Sequence, residues 1–112
     1  MKTYRLLENI IFGDANPNAE PLHVDRHGRV LRFALKPGQY IREHSAPNSP
    51  VNIMVLQGHG VFAGGDGVEH QIGPMDFVLF DPDENHLIRA TDEPLVFVAV
   101  LHEAPNPNRE DG

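Results

Sequence analysis

The stretch VNIMVLQGHG, residues 51–60, decides the fold of this 112-residue chain. Five of its first six residues are apolar, and it ends on the corner Gly58-His59-Gly60. A short apolar run bounded by glycine is typical of a buried β-strand, because a helix needs a longer repeat. A second such run, FVLF at residues 77–80, leads through an acidic turn to His86.

Histidines stand beside both of these apolar runs. His44 precedes the first run and His86 follows the second. A small β-barrel can bring two such imidazoles together at its mouth, where a ligand or a metal ion binds. The sequence therefore predicts that His44 and His86 share one site.

Glycine and proline interrupt the chain every few positions, with ten of each. No long window shows a helical apolar repeat, so the sequence predicts an all-β fold. Strands are predicted near residues 4–12, 21–25, 29–36, 39–43, 51–57, 59–63, 68–72, 76–80, 86–90 and 94–102.

The length predicts a single domain, residues 1–112. Its barrel core is expected at about residues 29–102, preceded by an N-terminal strand segment at 4–12. The residues 103–112 are expected to form a polar tail.

Charge and composition exclude several classes of function. The net charge of −7 argues against a nucleic-acid or anionic-lipid partner. The chain has no cysteine, which excludes disulfides, thiolate catalysis and cysteine zinc sites. Glu8 interrupts the first apolar residues, so neither a signal peptide nor a membrane span is expected. We expect a cytoplasmic protein.

Two predicted strands, residues 51–56 and 95–101, are apolar on both faces. A strand with one buried face alternates apolar and polar residues, so the second face of these strands requires a cover. We expect a second copy to supply it, as a homodimer with sheet-on-sheet packing. The alternative is that the segment 4–12 of the same chain folds over this face.

Gly38, His44 and Gly58 have the spacing of a known barrel motif: glycine, five residues, His-x-His, four residues, glutamate, six residues, glycine. In this spacing the chain resembles the cupin superfamily, which are small jelly-roll β-barrels. Ala46 stands where the second histidine of the motif belongs, and Val51 where the glutamate belongs. The chain thus resembles a single-domain cupin with degenerate metal-binding motifs.

The second cupin motif is represented strictly by His86 alone. Met75 and Asp83 stand at the positions of its two glycines. Asp81 stands at the position of its proline, and Ala90 at that of its asparagine. The resemblance covers about residues 29–102 and implies a jelly-roll barrel.

The resemblance also implies a metal site of three histidines and one glutamate, with a divalent transition metal (Zn, Fe, Mn or Ni) as cofactor. Of that set only His44 and His86 are present. Two interpretations stay open: a metal site completed by water or a recruited side chain, or two barrel histidines without a metal.

Three functions stay open, two of them implied by this resemblance and the third by the doubly apolar strands, and the sequence does not decide whether the protein is an enzyme. The first is a cupin that binds a small-molecule ligand, with His44 and His86 as polar anchors. The second is a metal-dependent enzyme of the oxygenase or isomerase type, acting on a small oxygenated metabolite. The third is a structural dimer without a functional pocket. For the first function, the expected pocket residues are Ile53, Val55, Phe77, Leu79, Val98 and, at the barrel mouth, Tyr40.

Overall fold

The computed structural model describes residues 1–43 and 49–102 of the chain. This part of the chain forms nine β-strands: β1 (Asn18–Asp25), β2 (Gly28–Leu35), β3 (Tyr40–Glu43), β4 (Val51–Gln57), β5 (Gly60–Ala63), β6 (Glu69–Ile72), β7 (Phe77–Phe80), β8 (His86–Ala90) and β9 (Leu95–His102). No helix within these residues is long and apolar enough to cross a membrane.

The strands form two antiparallel sheets that enclose one core. The order is β1-β2-β9-β4-β7 in the five-stranded sheet and β3-β8-β5-β6 in the four-stranded sheet. Strands far apart in the chain are neighbours, as in the pairs β2–β9 and β3–β8. The chain passes between the sheets repeatedly, which is the connectivity of a jelly roll. The predicted all-β jelly-roll fold is confirmed.

Phe97 of β9 lies at the centre of the core. Its ring stacks on Phe33 with a centroid distance of 4.9 Å and meets the edge of Phe62 at 6.0 Å. Ile53 and Val55 of β4 belong to the same core cluster and are 1% and 0% exposed. Each large apolar side chain buried in this way contributes roughly 1.5–3 kcal/mol to folding. The core therefore fills the space between the central parts of the sheets.

Gly58 forms the corner between β4 and β5. Its φ of 82° lies in the left-handed region, and a Cβ there would lie 1.8 Å from the carbonyl oxygen of Pro94. Only glycine permits this approach of the corner to the start of β9.

The predicted strand at residues 4–12 is wrong, because this segment is irregular in the structure. The carbonyls of Leu6, Glu8 and Asn9 accept hydrogen bonds from the guanidinium of Arg32, at 3.2, 3.0 and 3.3 Å. Carbonyls that turn toward one side chain cannot pair with a neighbouring strand. Asn9 also has a φ of 54°, outside the range of a strand.

Arg32 binds this segment to the outer face of the five-stranded sheet. It pairs in register with Val98, is 7% exposed and forms an ion pair with Glu20. Ala34 and Val96, the next pair of the same face, are 2% and 0% exposed. The N-terminal segment thus covers the part of the face formed by β2 and the first half of β9.

Candidate functional site

His86 begins β8 and points toward the interior, on the same side as the buried Ile88 and Ala90. Its side chain is 8% exposed, and its ring stacks on Phe80 with a centroid distance of 4.6 Å and an interplanar angle of 23°. Phe80 ends β7, so the two rings close the core at the end where both strands meet the connecting turn. Among the described histidines, His86 is the buried one.

A cleft of about 290 Å³ opens beside His86. One wall is the start of β8, and the opposite wall is the tip of the β5–β6 hairpin. The residues that line it are Arg42, Ala63, Gly64, Gly67, Glu69, Asn85, His86 and Leu87.

Four of the lining residues form one row across the four-stranded sheet. Arg42 is the register partner of Leu87, Leu87 of Ala63, and Ala63 of Glu69. Directly opposed residues share a face of a sheet. The row therefore has a cation at one end, an anion at the other and an apolar floor between them, across about 14 Å for three strand spacings.

The two charges at the ends of this row differ in their partners. Glu69 lies 4.0 Å from Arg89 in an exposed ion pair, which contributes little energy in water. Among the side chains that the structure describes, which do not include that of Glu43, no partner forms an ion pair with Arg42. Its guanidinium is therefore the stronger candidate for binding an anionic group.

Glu84 connects the two walls of the cleft. Its carboxylate accepts the backbone N–H of Gly65 at 2.8 Å and that of Asp81 at 2.9 Å. These two bonds, with a smaller contribution from His86, hold the pKa of Glu84 below its usual value, although burial and Asp66 oppose them. Glu84 thus fixes the turn that carries His86 against the hairpin tip.

The structure does not bring all the sequence-predicted residues to this cleft. His44 lies outside the described residues, so its distance from His86 stays a prediction. Ile53 and Val55 pack in the core, away from any opening. They are structural residues of the core in this chain.

The expectation that Phe77, Leu79, Val98 and Tyr40 line a pocket with Ile53 needs correction. Phe77 pairs with Met54 and is 60% exposed, and Leu79 is 56% exposed. Both lie on the outer face of the five-stranded sheet, as does Val98. The apolar pattern of these strands continues on both faces, so it could not indicate which face is inside.

Tyr40 is exposed as well, on the outer face of the four-stranded sheet. Its register partner is Arg89, and 60% of its surface is accessible. Neither residue lines the cleft beside His86. Of the predicted site residues that the structure describes, His86 alone lines this cleft.

The described residues do not fit the full metal site of the cupin motif. No group of three or more His, Cys, Asp or Glu among them could hold a metal ion. Val51, at the position of the motif glutamate, is 6% exposed and belongs to the core cluster. It presents hydrocarbon where the motif has an anionic ligand.

Two other histidines take part in surface ion pairs. His23 lies 2.8 Å from Asp25, and its hydrogen bond is the main cause of the lowered pKa of that carboxyl. His59 pairs with Glu93. Both pairs lie away from the cleft and are exposed.

Comparison with known proteins agrees with this architecture. The family profile described as "Cupin domain" matches residues 31–101, and the chain therefore belongs to the cupin family. A search of curated protein sequences finds no match.

Solved structures share the fold over most of the chain. An RmlC-like cupin protein from Desulfovibrio desulfuricans is 25% identical, with 90% of this chain and 96% of that chain covered and a TM-score of 0.79. A candidate mannose-6-phosphate isomerase from Ralstonia eutropha is 21% identical, with 93% and 100% covered and a TM-score of 0.79. The cupin domain of an XRE family transcriptional regulator from Enterobacter cloacae is 20% identical, with 80% and 98% covered and a TM-score of 0.74. At such identities these likenesses establish the fold and not the activity.

Proposed function

We propose that this cupin binds a small organic acid in the cleft beside His86. The observation that carries the proposal is that Arg42 and Asn85 line one cleft over an apolar floor, next to the start of β8 at His86. Nitrogen donors above hydrocarbon are the combination that holds a carboxylate with a short carbon skeleton.

The chemistry of each group suits such a ligand. The guanidinium of Arg42 presents paired N–H donors that match the two oxygens of a carboxylate. The side-chain amide of Asn85 can hydrogen-bond a further oxygen of the ligand. Leu87 and Ala63 form an apolar surface for its carbon atoms. The volume of about 290 Å³ is at the lower end of the range for ligand pockets, which favours a small metabolite.

A second cavity, of about 300 Å³, lies between the N-terminal segment and β1. Its arginine, Arg32, already donates to Glu20 and to three backbone carbonyls. An anion there would have to displace bonds that hold the fold together. The cleft beside His86 is therefore the better ligand site.

The relatives support a ligand-binding role only in general terms. One structural neighbour is described as a candidate isomerase of a sugar phosphate and another as a domain of a transcriptional regulator. The same fold thus serves different purposes, and the choice for this chain depends on its own residues. We also propose that the protein is cytoplasmic, as expected from the sequence.

Thermal-shift measurements with small mono- and dicarboxylic acids test the proposal, with the corresponding neutral amides as ligand controls. We expect an acid, and not its amide, to raise the melting temperature of the wild-type protein. Arg42→Gln should abolish this shift. Arg29→Gln, the same change at an exposed arginine of β2, should retain it. A shift that survives in Arg42→Gln, or the absence of any shift across the acids, would contradict the proposal.

A metal-dependent enzyme is the second candidate, because His86 offers a buried imidazole beside an open cleft. Its test is the metal content of protein purified without a nickel column. A stoichiometric transition metal that is lost in both His44→Ala and His86→Ala would favour the enzyme over the binding protein. A protein that binds neither acid nor metal would favour the structural dimer.

A further inference from the structure

The cleft beside His86 has charges of opposite sign at its two ends. Arg42 of β3 and Glu69 of β6 are both exposed, and the other residues that line the cleft include no further arginine, lysine or carboxylate. The fixed charges of the cleft therefore sum to zero, but they lie far apart. Such a distribution is complementary to a ligand that carries one charge of each sign, at opposite ends of the molecule.

The two end charges do not neutralise each other. Three strand spacings, about 14 Å of sheet, separate the backbones of Arg42 and Glu69. No ion pair joins these two side chains, both of which the structure describes. Leu87 and Ala63 lie between them in the same row. A ligand that lies along the row can therefore contact both charges and the apolar floor at once.

The carboxylate of Glu69 is able to accept hydrogen bonds from a ligand. Its ion-pair partner, the guanidinium of Arg89, lies 4.0 Å away, which is longer than a hydrogen bond. The two side chains of this pair are 56% and 42% exposed, so water screens their attraction. An ammonium group can thus bind Glu69 without breaking a strong interaction.

The charge of the whole chain favours a ligand without net charge. The protein carries −7, and it repels at long range a ligand that has only negative charge. A molecule with one carboxylate and one ammonium group has no net charge and avoids this repulsion. It still presents a carboxylate to Arg42.

We propose that the ligand is a short ω-amino acid, in which a carbon chain separates the ammonium group from the carboxylate. This inference rests on the proposed binding of an organic acid and adds a second recognition group. The carboxylate binds Arg42 at one end, and the ammonium group donates to Glu69 at the other. The carbon chain lies on Leu87 and Ala63. An α-amino acid does not fit, because both of its charged groups are attached to one carbon and cannot reach both ends of the row.

NMR titrations of the full chain with 4-aminobutyrate, 2-aminobutyrate and butyrate test the proposal. We expect 4-aminobutyrate to bind roughly three- to five-fold more tightly than butyrate, the effect of one exposed ion pair. The isomer 2-aminobutyrate has the same charges on neighbouring atoms and should show no such gain. The comparison is repeated with the five- and six-carbon acids, because the reach of the two side chains sets the best length.

Glu69→Gln keeps the shape of the side chain and removes its charge. It should abolish the preference for the ω-amino acid and retain the binding of the parent acid. Glu8→Gln is the matched control, because Glu8 is also an exposed glutamate in a weak ion pair, at 3.9 Å from Arg5. The preference should persist in this variant. Circular dichroism checks that both variants fold, and the comparison of ligands on the wild type tests the proposal without either of them.

The titrations distinguish this inference from the function on which it rests. If the parent acids bind and no ω-amino acid of four to six carbons binds more tightly, the cleft is an organic-acid site and the inference is overturned. If neither kind of ligand binds, the proposed function fails as well. A preference that survives in folded Glu69→Gln, or one that is lost in Glu8→Gln, would also overturn the inference.

Discussion

Glu84 accepts the backbone N–H of Gly65 at 2.8 Å and so holds the two walls of the cleft together. The fit is close, because a Cβ on Gly64 would lie 2.3 Å from the same carboxylate oxygen. The turn with Asn85 and His86 is therefore placed by a residue that does not line the cleft itself. This contact makes the cleft sensitive to the charge of one carboxyl group.

Acid should open the cleft before it unfolds the domain. The pKa of Glu84 is lowered in the folded protein, chiefly by the N–H groups of Gly65 and Asp81. Its contribution to stability is therefore complete above its ordinary pKa of 4.5 and is lost as the pH falls through the lowered value. Amide exchange at Gly65 and Asp81 should accelerate in that range.

Glu84→Gln supplies the control for this titration. The glutamine amide has one oxygen and can accept from one of the two N–H groups only. We therefore expect the free energy of unfolding to fall by about 1 kcal/mol at neutral pH. The hydrogen bond that remains should not depend on pH in the acid range. Exchange rates at both Gly65 and Asp81 that equal those of the wild type would show that the carboxylate does not hold the turn against the hairpin tip.

Arg32 should be among the most sensitive charged residues of the chain. Its guanidinium is 7% exposed and donates to Glu20 and to the carbonyls of Leu6, Glu8 and Asn9. Lysine has one nitrogen and cannot replace this planar fork, so Arg32→Lys should lower the free energy of unfolding by about 2–3 kcal/mol. Urea denaturation measures the loss, and limited proteolysis should show earlier cleavage of the N-terminal segment.

Arg29→Lys is the matched control, because Arg29 is exposed on the same strand. It should change the stability by less than about 0.5 kcal/mol. Equal effects of the two substitutions would contradict the role that we assign to Arg32.

Alanine substitutions at Gly58 and Gly67 distinguish the cost of a left-handed backbone from the cost of a steric clash. Both have positive φ, 82° and 73°, but only at Gly58 does a Cβ meet other atoms, 1.8 Å from the oxygen of Pro94. Gly67→Ala should lower the free energy of unfolding by about 1–2 kcal/mol, which is the penalty for an alanine in the left-handed conformation. Gly58→Ala should cost at least about 2 kcal/mol more, because the corner must also move. Thermal denaturation of both variants measures the difference, and equal losses would contradict it.

The strands could be predicted from the sequence because glycine, proline and acidic turns mark their ends. The prediction for residues 86–90 coincides with β8, and that for 51–57 coincides with β4. Segment 4–12 has strand-like composition, but its backbone carbonyls bind a side chain from β2. A long-range contact of this kind leaves no local signal in the sequence.

The site was less predictable than the fold. His86 is predictable because it follows an acidic turn after an apolar run and matches the second cupin motif, while Arg42 and Glu69 resemble ordinary surface charges. Their place in one row with Leu87 and Ala63 depends on the register between strands. The sequence pattern places Phe77 and Leu79 on the wrong face because β7 is apolar on both sides. Only the register with β4 distinguishes the two faces.

Amide chemical-shift mapping by NMR is the most direct test of the claim that the cleft beside His86 binds an organic acid. On titration with the acid that gives the largest thermal shift, we expect perturbations at Gly64, Gly67, Asn85 and His86. The same titration of Arg42→Gln should leave these signals in place. Shifts confined to the cavity beside Tyr4 and Arg32, or no shift with any acid, would contradict the account.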